Sequence, residues 1–432
     1  MFFEIIIGKI VSRISEFLNI GSGSTWPGHI ILNLDKKFIS KILNKNPHLK
    51  IIIIAGTNGK TTTTALTCYI LEKLGFKVFS NKEGANLING IASVLLKKST
   101  FFGKLNYDFA VFEVDEFSLP LILNKISANY IFLLNLFRDQ LDRYGEVNTI
   151  GTRWFNQLKN INKDTILIVN GDDPYLFFNS QKLINKKIYF GIPGTLMKLK
   201  NLTHDIDFIY CPNCQTILKY KKISYSHLGD YYCQKCGFKR GSQINDFKNH
   251  KIKYPVEGLY NIYNTNAVLS FIKEVFKIED FNKLLKNFKT PFGRQEEIEY
   301  KNRTFFLLLS KNPAGFNQSI KAVNKILKNK KANLLIILNN RIPDGLDVSW
   351  IWDVDFDNIL KNAKNIYISG DRIYDMALRF KYENIKTKIF SNYKKAIEEM
   401  IKISKKGEKI FVLPTYSAML ELRKFLIGKK FN

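Results

Sequence analysis

The 432-residue chain carries 66 Lys+Arg against 38 Asp+Glu, a formal net charge of +28, on a composition that is 45% hydrophobic and 24% charged. That balance excludes a disordered or membrane-embedded chain and, at this length, a single ordinary core; two or three domains are expected. So large a basic excess attracts polyanions, whether nucleic acid, acidic membrane surface or phosphorylated substrate. The lysines are nevertheless spread along the whole chain, as a composition rich in Lys, Ile and Asn gives by itself.

Met1–Leu18 has the look of a secretion signal, but Glu4 interrupts its apolar part and no small-residue cleavage site follows. Phe3, Ile7, Ile10, Ile14 and Phe17 recur at helical spacing, with Lys9, Arg13 and Glu16 elsewhere, which predicts an amphipathic helix. Its apolar side either packs on its own domain, the simpler expectation, or rests on a membrane surface. No run of about 18 uncharged apolar residues follows, so no spanning helix is expected.

From about Leu49 short apolar runs alternate with helical stretches. The runs are Ile51–Ile54, Phe109–Val114, Tyr130–Leu136, Thr165–Asn170 and Lys187–Phe190. Continuous β-branched runs with helices between them predict a buried parallel sheet. Residues 201–250 break this rhythm and read as an inserted module. A second alternating series, Phe305–Leu309, Leu334–Leu338, Asn365–Ile368, Lys388–Phe390 and Lys409–Leu413, predicts a separate, smaller α/β domain. Pro291 and Gly293 place the hinge near Thr290–Gln295.

The first run leads into Gly56-Thr-Asn-Gly-Lys-Thr-Thr62, a glycine turn between a strand and a helix. Gly56 and Gly59 let the backbone N–H groups of Thr57 and Asn58 turn inward around phosphate oxygens. Lys60 reaches the β- and γ-phosphates, the Thr61 hydroxyl sits on Mg²⁺, and the helix from Thr62 onward presents its positive end to the anion. Ile54 stands where the longer motif has glycine, so this is a shortened loop. ATP binding is the expectation. Glu113, at the end of a buried run, is placed where parallel sheets put their ligands.

Cys211-Pro-Asn-Cys214 and Cys233-Gln-Lys-Cys236 form C-x₂-C-x₁₈-C-x₂-C. Two residues between thiolates let each pair grip one tetrahedral ion, which predicts a structural Zn²⁺ ribbon in a reducing compartment. With four sulfurs the coordination sphere is closed, so catalysis by this metal is not expected. Cys68 reads as a small core residue and His227 as a surface residue.

The shortened loop resembles that of the Mur ligase superfamily, and further motifs follow in that family's order. Asn86, Phe112-Glu-Val-Asp-Glu-Phe117 and Asn135-Leu-Phe-Arg-Asp-Gln-Leu-Asp-Arg-Tyr-Gly-Glu146 look like its central motifs. Val169-Asn-Gly-Asp-Asp-Pro174 resembles its strand-ending turn, Gly258-Leu-Tyr-Asn-Ile-Tyr-Asn264 its adenine-contacting segment, and Pro291-Phe-Gly-Arg294 the entry to its C-terminal domain. The resemblance implies Glu113 as a second Mg²⁺ ligand, Asn261 and Asn264 near the base, and Arg294 on the nucleotide phosphates. Two departures stand out. Gln140 lies where amino-acid-adding members carry His, and Lys159 is not in the setting of their carbamylated lysine. A second Mg²⁺ and ordinary amino-acid addition are both put in question.

A zinc ribbon inside such a domain is similar to the MurT family of synthetase subunits. Lys311-Asn-Pro-Ala-Gly-Phe-Asn317 and Asp344-Gly-Leu-Asp-Val-Ser-Trp-Ile-Trp-Asp353 look like its signatures, and Gly21–His29 and Leu413–Tyr416 fit it too. The implied architecture is α/β: residues 1–45 as N-terminal helix and lead-in, and 46–295 as a Mur-ligase-type P-loop ATPase domain with a parallel sheet. Residues 201–250 are its inserted four-cysteine zinc ribbon, and 296–432 a Rossmann-like C-terminal domain carrying an amidotransferase interface. The implied reaction is ATP-dependent amidation of the D-glutamate α-carboxylate of the lipid II stem peptide. A GatD-like class I glutamine amidotransferase supplies the ammonia, and an aspartate of this chain completes that partner's Cys–His triad. Asp347 is the best match and Asp353 the runner-up; Asp347 could instead merely cap the Ser349–Trp352 turn. Trp350 and Trp352 fit an interface patch or a core equally. The implied setting is cytoplasmic, at the inner membrane face, with no nucleic acid. The alternative is an amino-acid-adding ligase that needs no glutaminase partner.

Overall fold

The computed structural model describes residues 2–17, 25–81, 85–139, 146–198, 205–291, 293–328, 330–358 and 363–428. Gln140 and the five residues after it, Gly21–Ser24 and Phe292 of the motifs above lie outside them, as do Glu83–Gly84 just before Asn86.

The β-branched run forms β1 (Lys50–Ala55), whose last five residues are all buried. It sits in the middle of a seven-stranded parallel sheet. The others are β2 (Val78–Ser80), β3 (Phe109–Val114), β4 (Tyr130–Leu133), β5 (Ile166–Asn170), β6 (Lys187–Phe190) and β9 (Ile244–Asn245), in the order β2-β3-β1-β4-β5-β6-β9. A strand covered on both faces cannot alternate polar and apolar residues, which is why these read as continuous runs. Helices α4 (Lys60–Lys73), α9 (Leu259–Phe276) and α10 (Phe281–Leu285) cover one face, burying Leu66, Ile70, Val268 and Phe271 against Ile52 and Ile54. The opposite face carries α2 (Trp26–Leu34), α3 (Phe38–Asn44), α5 (Ile88–Lys98), α6 (Leu119–Leu123), α7 (Val147–Leu158) and α8 (Pro174–Gln181).

Strands β7 (Lys219–Tyr225) and β8 (Leu228–Tyr232) form an antiparallel hairpin inside the stretch that broke the rhythm. The same stretch ends in β9, which pairs with β6 of the main sheet. The second sheet comprises β10 (Arg294–Tyr300), β11 (Arg303–Leu308), β12 (Ala332–Ile337), β13 (Ala363–Ser369), β14 (Lys388–Ile389) and β15 (Lys409–Pro414). Their order is β10-β11-β15-β12-β13-β14, parallel except for the edge strand β10 against β11. Helices α11 (Pro313–Leu327) and α12 (Ile373–Tyr382) lie on one face, α13 (Tyr393–Ile403) and α14 (Tyr416–Ile427) on the other.

Two expectations are corrected. The N-terminal helix α1 (Phe2–Phe17) forms, but Phe3, Ile7 and Ile10 face solvent, while Ile5, Gly8 and Ser12 are buried. The described apolar face is therefore not the packed one. A Cβ on Gly8 would stand 2.6 Å from Leu96 Cδ2. Close approach selected a small residue on the inner side, and that is what the spacing of large residues could not show. The second correction is His227, which is fully buried. Its Nε2 lies 3.5 Å from Asp173, with Phe137 and Phe208 packed on its ring.

Candidate functional site

The site forms where the loop after β1 meets the start of the second sheet. Gly59 has φ +89°, and a Cβ there would stand 2.1 Å from Asn264 Oδ1, so no side chain fits between this loop and α9. Asn135 braces the loop: its side chain accepts from Asn58 N–H at 2.9 Å and donates to Asn58 O at 3.0 Å. The Thr57 hydroxyl donates to Phe137 O and accepts from its N–H at 3.0 Å. Lys60, Thr61 and Thr62 open α4 and are all buried. A helix N-terminus with inward-turned amides is a ready anion site.

Charged groups converge on Lys60 from three segments distant in sequence. The Lys60 ammonium donates to Gly56 O at 2.6 Å, Thr57 O at 3.1 Å and Glu116 Oε2 at 2.9 Å. Beyond them Lys311, from the second domain, pairs with Asp139. Burial works against every charge here, and the opposite charges work back. Glu116 stays below the usual carboxylate range because the Lys60 and Lys311 ammonium groups outweigh its burial. Asp115 is pushed up to about 6 by burial and by the neighbouring Glu116 carboxylate. Asp139 is also raised, mainly by burial, and one of its oxygens has no hydrogen-bond partner among the described residues. Lys311 is raised by Asp139 and Glu116 against its own burial.

Arg294, the first residue of the second sheet, reaches back so that its guanidinium donates to the Thr61 hydroxyl at 3.3 Å. Asn312 bridges to Asn58 at 3.1 Å and caps α11 by accepting from Gly315 N–H at 2.8 Å. Asn58, Gly59, Asn264, Arg294, Gly315 and Gln318 thus share one cleft between the domains. Asn261 is buried on the next turn from Asn264, tied to Glu257 O at 2.6 Å. Glu113 is buried at the end of β3, and its carboxylate has no partner among the described residues. A hydroxyl and an unpaired carboxylate are the oxygen donors a hard cation such as Mg²⁺ takes.

Glu116, Asp139 and Lys311 were quoted only as parts of motifs; their convergence depends on the fold and leaves no spacing to read. Lys159 is exposed after α7.

A second cavity adjoins the first on the Lys311 side, lined by Arg138, Asp139, Lys311, Asp347, Trp350 and Asp353. Asp347 accepts from the Ser349 N–H and hydroxyl, both at 2.8 Å, so it does cap the turn. Asp353 is engaged by Arg138 at 3.0 Å, and Arg138 is held in turn by Asp207 at 2.5 Å. Trp350 is half-buried near Phe316, whereas Trp352 is exposed beside Tyr382.

The four paired cysteines meet at the base of the β7–β8 hairpin, their sulfurs all within 4.8 Å of one another. Cys211 and Cys236 are 3.6 Å apart, Cys214 and Cys233 3.5 Å. A tetrahedral zinc with sulfurs at about 2.3 Å requires sulfur pairs about 3.8 Å apart, so the cluster fits that ion and is too wide for disulfides. Asp172 ties the ribbon to the main domain. Its carboxylate accepts from Arg240 at 2.6 Å, Tyr263 of α9 at 2.8 Å and Ile192 N–H at 3.0 Å. Cys68 is apart from the cluster, and burial pushes its thiol up to about 12.

A phosphate loop on a parallel sheet, closed by a second α/β domain that sends in an arginine and a lysine, is the architecture of Mur-type ATP-dependent ligases. The fold agrees. A pseudomurein peptide ligase type C from Methanothermus fervidus superposes with a TM-score of 0.65 at 22% identity, covering 90% of this chain and 80% of that one. Residues 54–272 match the Mur ligase middle domain and residues 309–419 the MurT ligase C-terminal family. Among curated relatives, the lipid II isoglutaminyl synthase (glutamine-hydrolyzing) subunit MurT of Streptococcus pneumoniae is 34% identical, over 98% of this chain and 97% of its own. The protein of the same name from Staphylococcus aureus is 32% identical over 85% and 84%. The chain belongs to the MurT family.

Proposed function

We propose that this chain is the ATP-using subunit of a lipid II isoglutaminyl synthase, converting the D-glutamate α-carboxylate of the stem peptide to D-isoglutamine. The near-full-length likeness to two subunits of that name carries the reading. The match of residues 309–419 to the MurT C-terminal family favours it over amino-acid addition.

A carboxylate does not react with ammonia at neutral pH, so it must first be activated. Its oxygen attacks the γ-phosphorus of ATP, the bond to the bridging oxygen breaks, and ADP leaves. Lys60 and Arg294 neutralise charge on the transferring group, the main task in phosphoryl transfer. Thr61 and Glu113 would hold Mg²⁺, which supplies Lewis-acid screening of the phosphate oxygens. Asn261 and Asn264 line the base side. Ammonia then adds to the acyl carbon, phosphate leaves, and the nitrogen gives up a proton. Glu116 holds the Lys60 ammonium, and Lys311 offers a second cation from the other wall of the cleft.

Ammonia at neutral pH is mostly ammonium, so a glutaminase partner of the GatD type is the proposed source. Asp347 completes its triad by fixing the partner's imidazole. One observation supports that choice over Asp353: Asp353 is already engaged by Arg138, whereas Asp347 bonds Ser349 of its own turn. An exposed stripe of Tyr374, Leu378 and Tyr382 on α12, continued by Trp352, offers the partner an apolar seat. ATP and glutamine place the reaction in the cytoplasm. A lipid-borne substrate would then be met at the inner membrane face; no described helix is long and apolar enough to cross a membrane.

Reconstituting the chain with such a glutaminase, ATP, Mg²⁺ and lipid II tests the reading, with the product read by mass. Amidated lipid II that requires both proteins is expected. Absence of both nucleotide consumption and a mass change would overturn it.

A further inference from the structure

Among the described residues the outward face of α1 is exposed, and a second segment joins it. Between α5 and β3 a tight turn is closed by Thr100 N–H to Lys104 O at 2.8 Å and Gly103 N–H to Thr100 O at 2.9 Å. Its tip is Phe101-Phe102. Phe102 stacks on Phe2 of α1 with centroids 5.6 Å apart, and Lys9 lies over Phe101 at 5.4 Å. Helix and turn therefore build one surface, on which Phe3 is 75% and Phe102 67% exposed, and Phe2, Ile7, Ile10 and Phe101 are exposed as well. Water-facing phenylalanines from two separate segments contribute nothing to the core and carry a solvation cost unless something covers them.

The surroundings indicate what covers them. Arg13, Lys98 and Lys104 are exposed on the same two segments, and Lys9 crosses between them to donate to Ser99 O at 2.6 Å. Apolar side chains at a tip and along one helix face, flanked by cations, match a bilayer whose headgroups are anionic and whose acyl boundary lies just beneath. The position also fits. Asn86 O, just ahead of α5, accepts from Asp115 N–H at 3.0 Å, beside the Lys60–Glu116 pair. The 11 residues of α5 then run about 16 Å to the Phe101-Phe102 turn.

We infer that α1 and the Phe101-Phe102 turn form a docking surface for an anionic phospholipid bilayer, holding the cleft one helix length from the membrane that carries the substrate. This rests on the proposed lipid-linked substrate and adds the surface by which the chain reaches it.

Vesicle co-sedimentation of the full chain tests it, using phosphatidylcholine alone and phosphatidylcholine mixed with phosphatidylglycerol. Wild type should bind the anionic vesicles, more weakly as salt rises. F3S/F102S and K9E/K98E should each weaken binding about tenfold or more. Amidation of detergent-dispersed lipid II by the complete two-subunit enzyme should be unchanged in these variants, and amidation in vesicles reduced. Unchanged variant activity in detergent also shows that the variants fold. No vesicle binding by wild type, or binding the variants leave intact, would overturn the inference while detergent activity upheld the function. Loss of a dimer or of the glutaminase complex in F3S/F102S would overturn it in favour of a protein partner. No amidation by wild type in either medium would instead remove the functional reading itself.

Discussion

The two walls of the cleft are built on different plans. On the phosphate-loop wall the loop itself is cross-braced: Lys60 has three acceptors, Asn135 bridges twice to Asn58, and Glu116 is fully enclosed. On the opposite wall Asp347 sits on a partly exposed turn and is held only by Ser349 among the described residues, with exposed Trp352 close by in sequence. A buried, cross-braced wall suits charge stabilisation, which needs dipoles fixed before the reaction begins. An open turn suits a group that becomes useful only when another protein closes over it. On the proposed reading, the difference teaches that completeness within one chain separates the phosphoryl-transfer half of the site from the half a partner would finish.

Substitutions on each wall sharpen or break that contrast. Lys60→Ala should have the largest effect, lowering amidation by about 10³-fold or more while the glutaminase complex still forms on a sizing column. Loss of the complex would show that the two walls are not independent. Asp347→Asn should lower glutamine hydrolysis by about 10²-fold or more and spare amidation driven by added ammonium. Equal loss of both activities would refute the division. Cys211→Ser should abolish bound zinc by metal analysis and lower the melting temperature by several degrees, because a structural metal adds its binding energy to folding.

The smallest effect is a pH effect within the buried wall. Asp115 titrates near 6 in the folded chain, above the unfolded value of about 3.9, so the folded state binds more protons between those values. Stability should then fall as pH rises from about 4 to about 6, by the linkage between proton uptake and unfolding. Asp115→Asn should flatten that slope by about 1 kcal/mol per pH unit in urea titrations. An unchanged slope would mean another group carries it.

What could be read in the chain follows the same contrast. The loop Gly56–Thr62, the strand before it and the cysteine pairs are contiguous, so spacing alone exposed them. The longer strands were legible because two covered faces leave uninterrupted apolar runs. Val78–Ser80 and Ile244–Asn245 are too short to show a period. Arg294–Tyr300 is an edge strand made almost wholly of polar residues, so no apolar run marked it. Asp139 and Lys311 are 172 residues apart and meet only across the domain boundary. His227 misled because a lone histidine among tyrosines carries no burial signal, and α1 misled because close approach at Gly8 put small residues on its inner face.

Asp172 has a consequence of its own. One carboxylate fastens Arg240, just past the cysteine knuckle, to Tyr263, which lies between Asn261 and Asn264 on the helix facing the nucleotide loop. The cysteine finger and the helix carrying Asn261 and Asn264 thus share an anchor in Asp172. On the proposed reading, a finger that lost its zinc would loosen the cleft through a residue that lines neither site.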